Sequence, residues 1–324
     1  MSTDNTQTLQ PRQIGLPVVS IICNTYNHEA YIRDALDGFL MQQCTFPFEI
    51  LVHDDASTDE TPNIIREYAA KFPEIIKPIY QSENQWSKGD FRVFRLQRER
   101  AQGRYIALCE GDDYWIDNKK LQKQVNFLES HPDFVMCFHR CKIENNTNDW
   151  WKDRIYNHLK EKEYTGQEIL SIWTIPTASV VYRYTLSPIL AAMHVPKEIL
   201  YIDTFSYLTF AEHGRIYCLG DTMAVYRIHH KSVTNRNDPQ RGTKYSHHLM
   251  AMSQIFNGKY KQTVEVIMAD RYITGALIAM KNRNIQRVLI CLFKSVQLDP
   301  LSIPKRCMQF IQNQMYFYLG KKRS

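Results

Sequence analysis

The sequence predicts an α/β fold with a helical, basic C-terminal appendage. Three observations predict it: short β-rich runs alternate with helical patterns from Val18 onward, polar clusters close several of those runs, and helices with basic residues take over after about Arg241. Such alternation is the mark of a parallel sheet built from βαβ units.

The first strand is predicted over residues 18–23. Behind it Tyr31, Ala35 and Phe39, with Ile32, Leu36 and Leu40, recur at helical spacing, so one apolar face packs on the sheet. Residues 48–53 read as the second strand. Thr61 followed by Pro62 has the form of an N-cap and a first helical position, and Ile65, Tyr68, Ala69 and Phe72 carry the apolar stripe up to Pro73. A third strand at 76–80, a helix at 91–101, a fourth strand at 104–109 and a helix at 118–130 with Leu121, Val125 and Leu128 on one side continue the pattern. Beyond Phe134 it becomes mixed, with a polar, Trp-containing loop at 145–153 and apolar runs at 178–182 and 223–228. The helices after Arg241 have Pro300 and Pro304 as expected breaks, and no internal repeat is evident.

With 324 residues, 44% hydrophobic and 23% charged, the chain can bury a sizeable core as one large domain or a domain with appendages. The longest apolar stretches, at 273–280 and 288–293, fall short of the roughly 20 residues that span a bilayer. Residues 1–13 are polar and lack the pattern of a signal peptide, which sets a cytoplasmic expectation. The eight cysteines agree with a reducing compartment: Cys23, Cys109 and Cys218 lie in apolar runs, and Cys137, His139 and Cys141 read as a structural strand, since no second ligand pair lies nearby. Asn145-Asn146-Thr147 has the glycosylation pattern, and in a cytosolic chain it is a polar loop. The net charge of +6 belongs to the tail, where residues 241–324 hold 14 Lys+Arg against 3 Asp+Glu. Such asymmetry marks an anionic membrane surface or nucleic acid, and equally a solvated helical face.

Three polar clusters follow strands: residues 24–27, Asp54 with Asp55, and 110–113. In open α/β sheets, ligands bind outside the carboxyl ends of strands, so the three point at one crevice. Asp112 and Asp113 beside Gly111, where the backbone is expected to turn tightly, repel each other and Glu110 unless a cation neutralises them. Their oxygens suit Mg2+ or Mn2+ bridging to a diphosphate, or else a solvated acidic turn. Asp54 and Asp55 can accept from a pyrimidine N–H or ribose hydroxyls, or serve local turn chemistry. Tyr26 can stack on a base, or pack.

In this order, VSIICNTYN at 19–27, EILVHDDASTD at 49–59 and YIALCEGDDYW at 105–115 resemble the three signatures of family 2 glycosyltransferases. The likeness covers roughly residues 16–140, with weaker matches to about 235. It implies the glycosyltransferase-A fold, a Rossmann-type nucleotide-binding mixed sheet flanked by helices, and an inverting enzyme that uses Mn2+ or Mg2+. By the resemblance Asn24, Tyr26 and Asp55 hold the donor base and ribose, Asp112 the ribose or metal, and Asp113 the metal. The family often has Asp where this chain has Glu110. Asp203, in YIDTF at 201–205, sits where the family places its general base, although its neighbour is Ile202 and not a second acid. An N-cap is the other reading of Asp203. YRIHHKSVT at 226–234 resembles a further family feature: His229 completes the metal shell or meets the pyrophosphate, Arg227 and Lys231 offset charge on the leaving diphosphate, and His230 is the substitute for His229.

The expected organisation is a flexible segment 1–15, a catalytic domain 16–240 with a donor half 16–140 and an acceptor half 141–240, and a basic helical region 241–324. The partners expected are a nucleotide-sugar donor, UDP-linked by the resemblance, a glycan or lipid-linked glycan acceptor of a bacterial surface polysaccharide or lipopolysaccharide, and peripheral contact at the inner face of the plasma membrane through the basic C-terminus. Nucleic acid is not expected. A sugar-phosphate nucleotidyltransferase shares the architecture, but that class carries a Gly-rich loop after the first strand, and residues 24–29 here contain no glycine. A noncatalytic binding module built on the tail leaves the acidic crevice unexplained; Tyr316, Phe317 and Tyr318 suit an interfacial helix as well as base stacking.

Overall fold

A computed structural model describes residues 15–89, 91–146, 159–171, 175–230, 240–306 and 308. Most of segment 1–15, Lys231 and the three aromatics at 316–318 lie outside the described residues. Two compact units contain the rest: one from the described residues of 1–169, 173–197 and 202–238, the other from those of 170–172, 198–201 and 239–324.

In the first unit, β1 (Val19–Thr25), β2 (Phe48–Asp54), β3 (Ile76–Tyr80) and β4 (Tyr105–Leu108) are all parallel, in the order β3-β2-β1-β4. β2 is buried along its whole length, as expected of a strand covered on both faces. α1 (Ile32–Leu40) follows β1 and lays Ile32, Ala35, Leu36 and Phe39 into the core, the stripe its spacing predicts. α2 (Thr61–Lys71) and α3 (Arg92–Arg100) make the next crossovers.

Beyond β4 the sheet turns mixed. β5 (Tyr114–Trp115), α4 (Lys120–Ser130), β6 (Phe134–Asn145), β7 (Lys162–Tyr164), α5 (Gly166–Ser171), β8 (Val181–Arg183), α6 (Ser187–Ala192), α7 (Ile202–Ala211) and β9 (Arg215–Ile228) follow. β8 is antiparallel to both β4 and β6, and β9 runs parallel to β6 and antiparallel to β5 and β7. The mixed sheet that the family resemblance implies is therefore present: four strands are parallel, and short antiparallel strands return the chain. β6 carries Cys137, His139 and Cys141, and β9 extends the apolar run at 223–228 back to Arg215. The seven described cysteines are free thiols.

Trp115 joins the layers: its ring meets Phe39 edge-on at 4.8 Å and its indole N–H donates to the Ala178 carbonyl at 2.9 Å. A side chain at Gly38 would come within 2.9 Å of the Trp115 backbone, so only glycine lets α1 and β5 approach this closely.

The second unit contains α8 (Arg241–Ile255), α9 (Lys261–Lys281) and α10 (Ile285–Leu298). Two local expectations are corrected. Thr61 is a helical residue and not the cap; its N–H is received by Asp59 at 3.0 Å, and its hydroxyl accepts the His28 N–H at 2.8 Å. Pro304 falls within helical residues 302–306, where an early helical position tolerates proline. No helix among the described residues is long and apolar enough to cross a membrane.

Candidate functional site

Register brings the polar clusters together. Thr25 pairs with Asp54, so β1 and β2 end together, while β4 ends at Leu108 opposite Ile22 and leaves the acidic loop to run on beside the last residues of β1. Backbone bonds extend the alignment past the strands: Asp55 N–H donates to the Thr25 carbonyl and Gly111 N–H to that of Asn24, both at 2.9 Å. Gly111 is required for close approach. A Cβ there would stand 2.6 Å from Thr25 Oγ1 and 3.1 Å from His28 Nδ1. The expected tight turn is present, with the Asp113 N–H donating to the Glu110 carbonyl at 3.2 Å, and it is made without a positive φ at Gly111.

The acidic loop between β4 and β5 is electrostatically crowded. Burial, then the charge of Asp112, pushes the Glu110 carboxyl up to about 8, although bonds with Asn24 oppose the shift. Burial and Asp112 likewise push Asp113 well above the carboxylate range, and its Oδ1 accepts the Arg227 main-chain N–H at 2.8 Å. Asp112 behaves oppositely. Burial works against its charge, yet the imidazoles of His28 and His229 hold it below its ordinary value. Its Oδ2 lies 3.0 Å from His229 Nε2 and 3.8 Å from His28 Nε2.

The end of β9 supplies the other side. His229 is buried against Asp112, whereas His230 is exposed. The Arg227 guanidinium bonds to Asp34, to Glu144 at 3.4 Å and to the Asp112 carbonyl at 3.3 Å, and it stacks over Tyr114 at 4.2 Å and Tyr31 at 5.3 Å.

On the β2 side, the two oxygens of Asp55 receive the N–H groups of Gln85 at 2.7 Å and Trp86 at 2.9 Å, which tie down the turn after β3. Asp54 Oδ2 accepts the Ser57 N–H at 3.2 Å, while its Oδ1 is buried without a partner, and burial raises its pKa. Asn24 Oδ1 is likewise buried without a partner. Tyr26 is 38% exposed. Asp203 is half-buried in the first turn of α7, where Oδ1 accepts the Thr204 N–H at 2.7 Å, and its charge contributes to the upward shift of Glu110.

Sequence reasoning missed His28, Tyr31 and Asp34. The Tyr31 ring packs on His229 at 4.7 Å, and His28 Nδ1 is buried without a partner. The signal for His28 was its place three residues after the first strand; nothing local marks Asp34, whose partner Arg227 is 193 residues away.

Asp112, Asp113 and His229 offer carboxylate oxygens and an imidazole nitrogen, ligands suited to a divalent ion. Repulsion among Glu110, Asp112 and Asp113 is the kind a cation relieves. Among the described residues, no three His, Cys, Asp or Glu side chains are already grouped as a metal site. The chemistry of the donor set fits; its assembly is left to binding.

The family profile of glycosyl transferase family 2 matches residues 20–187. An uncharacterized protein of Mycobacterium tuberculosis strain H37Rv is 39% identical over 248 residues, 74% of this chain and 69% of that one. The Bacillus subtilis glycosyltransferase TuaG, whose name assigns it to teichuronic acid biosynthesis, is 38% identical over 112 residues, 35% of this chain and 42% of its own. Two solved structures share the fold. Staphylococcus aureus TarS residues 1–349 in complex with UDP-GlcNAc has a TM-score of 0.56 at 16% identity, covering 86% of this chain and 91% of that one. A Pyrobaculum calidifontis mannosyltransferase in complex with GDP-Man and Mn2+ has a TM-score of 0.55 at 16% identity, covering 90% and 89%.

Proposed function

This chain belongs to glycosyl transferase family 2, and on that premise we propose that it moves a sugar from a nucleoside diphosphate sugar, with UDP as carrier, to a hydroxyl of a glycan or lipid-linked glycan, inverting the anomeric carbon. The observation that carries the reading is the 3.0 Å approach of Asp112 Oδ2 to His229 Nε2, which sets the acidic loop after β4 against the end of β9. The UDP-GlcNAc held by TarS and the GDP-Man and Mn2+ held by the mannosyltransferase support the donor class and the metal, and the teichuronic acid assignment of TuaG supports a destination in bacterial surface polysaccharide. Cytoplasmic action with peripheral membrane contact through the basic second unit completes the reading.

Asn24 Oδ1 and Asp54 Oδ1 accept from the base and ribose, Asp55 does so through the lone pairs that the Gln85 and Trp86 N–H groups leave on its oxygens, and Tyr26 stacks on the base. Asp112, Asp113 and His229 would hold a divalent cation. When bound, that ion supplies positive charge beside the departing diphosphate. Arg227 acts as a positioning residue: it fixes Asp113 through its main-chain N–H and α1 through Asp34. Asp203 takes the proton from the acceptor hydroxyl as that oxygen bonds to the anomeric carbon and the bond to the diphosphate oxygen breaks on the opposite face. No covalent enzyme intermediate forms.

Transfer from a UDP-sugar, with the product anomer read by NMR, tests the reading. Asp203→Asn is expected to abolish transfer while UDP still binds. Full transfer by that variant, or a product of retained configuration, contradicts it.

A further inference from the structure

The α9–α10 hairpin is packed inside out. The contacts between the two helices are made by small residues, Ala269 and Gly275 from α9 with Cys291 and Ser295 from α10, while Ala276 and Ala279 are buried on α9 along with the larger Val264 and Ile273. A Cβ at Gly275 would already touch Cys291 Sγ at 3.4 Å, and the Ser295 hydroxyl donates to the Ala269 carbonyl at 2.9 Å, so the backbones lie close. The large apolar side chains point the other way. Ile285 is 74% exposed, Leu289 63% and Phe293 65%, and Val296 continues the line. At 100° per residue these four fall within an arc of about 80° on α10. A helix of a water-soluble bundle turns such a stripe toward its core, whereas small residues inside and large ones outside is how helices pack where the surroundings are apolar.

Charge identifies what covers the stripe. From Arg271 to Leu298 there is no Asp or Glu, while Lys281, Arg283, Arg287 and Lys294 punctuate the same stretch. The acids elsewhere in these helices face bases of their own: Glu265 lies 3.9 Å from Lys261 and Asp270 2.6 Å from Arg306. With Ile290, 48% exposed, the apolar face of α10 widens to about 140°, and Arg287 and Lys294 stand along one edge of it; such a face matches an anionic lipid surface, which offers acyl chains to the apolar side chains and phosphates to the cations.

We infer that the exposed face of α10, centred on Ile285, Leu289 and Phe293, docks on an anionic lipid leaflet. The inference rests on the peripheral membrane contact read above and gives it a location.

Flotation of the full chain with phosphatidylcholine vesicles, with and without phosphatidylglycerol, tests it. Binding is expected to require phosphatidylglycerol and to weaken with salt. Leu289→Ser/Phe293→Ser is expected to lower vesicle binding by about tenfold or more, with helix content and UDP affinity unchanged, because these side chains are already exposed. Arg287→Glu/Lys294→Glu is expected to do the same through charge. Vesicle binding that survives both double variants places membrane contact elsewhere and overturns this face while sparing the broader reading. Absence of vesicle binding by the parent chain overturns both. A dimer in light scattering that the Leu289→Ser/Phe293→Ser variant makes monomeric, without vesicle binding, assigns the face to a second copy instead.

Discussion

Asp112 Oδ2 and His229 Nε2 stand 3.0 Å apart although 117 residues separate them in sequence, and the Tyr31 ring covers the imidazole at 4.7 Å. The contact joins the acidic loop after β4 to the residue that follows β9, and it distinguishes His229 from its exposed neighbour. His229→Ala is therefore expected to weaken Mn2+-dependent UDP binding by about tenfold or more, the cost typical of losing a metal-site imidazole or its support, and His230→Ala by less than about twofold. Calorimetric titration of the two variants checks this; equal losses would remove His229 from the site.

Gly111→Ala is expected to damage the same site from within. Its new methyl would enter the space of Thr25 Oγ1 at 2.6 Å, and the loop from Glu110 to Asp113 must shift to release it. UDP affinity should fall by about tenfold or more, with the rest of the fold retained by circular dichroism. Unchanged affinity would show that the loop tolerates the displacement.

Arg227→Ala is expected to destabilise the first unit by about 2–4 kcal/mol, because it leaves Asp34 and Glu144 without their shared guanidinium and empties the space between Tyr31 and Tyr114. Chemical denaturation measures the loss. The Arg227 main-chain N–H to Asp113 survives the substitution, so Arg227→Lys, which keeps a charge but loses the planar fork, should recover only part of the stability.

Much of this arrangement was legible. Asn24, Asp54, Asp55 and the acids at 110–113 close strands that β-rich runs announce, and parallel register does the rest. What was not legible depends on distant partners. Asp34 reads as an ordinary polar residue on the outer face of α1 until Arg227 arrives from β9, and Asp55 gives no local hint that the turn at Gln85 and Trp86 will occupy both its oxygens. The small antiparallel strand β8 is three residues long, too short for alternation to show, and it is the element that converts a parallel sheet into a mixed one. Lys120 reads as a solvated lysine at the start of a helix, yet it is fully buried, with its ammonium 3.9 Å from the Trp115 ring centre.

That lysine gives a pH dependence. Burial lowers its pKa from 10.5 to about 8, and its Nζ has no hydrogen-bond partner. Between those values the unfolded chain binds a proton that the folded chain does not, so this group makes stability rise with pH from about 8 to about 10.5, flat on either side. Lys120→Met keeps the length of the side chain and removes the charge. It is expected to stabilise the protein at pH 7 by about 1–3 kcal/mol, with the gain shrinking above pH 8. Thermal unfolding of both proteins across that range measures it; a destabilised variant at pH 7 would mean that the cation–π contact with Trp115 outweighs the burial of the charge.

The proposed function requires the acids after β4 and His229 to form a metal-dependent nucleotide site. Calorimetric titration of UDP into the full chain, in Mn2+ and again in EDTA, with Asp112→Asn as the control, tests it most directly, and GDP in parallel reports on the base. UDP is expected to bind in Mn2+, to fail to bind in EDTA, and to lose its binding in the variant. Binding of equal strength in EDTA, or undiminished binding by Asp112→Asn, contradicts it.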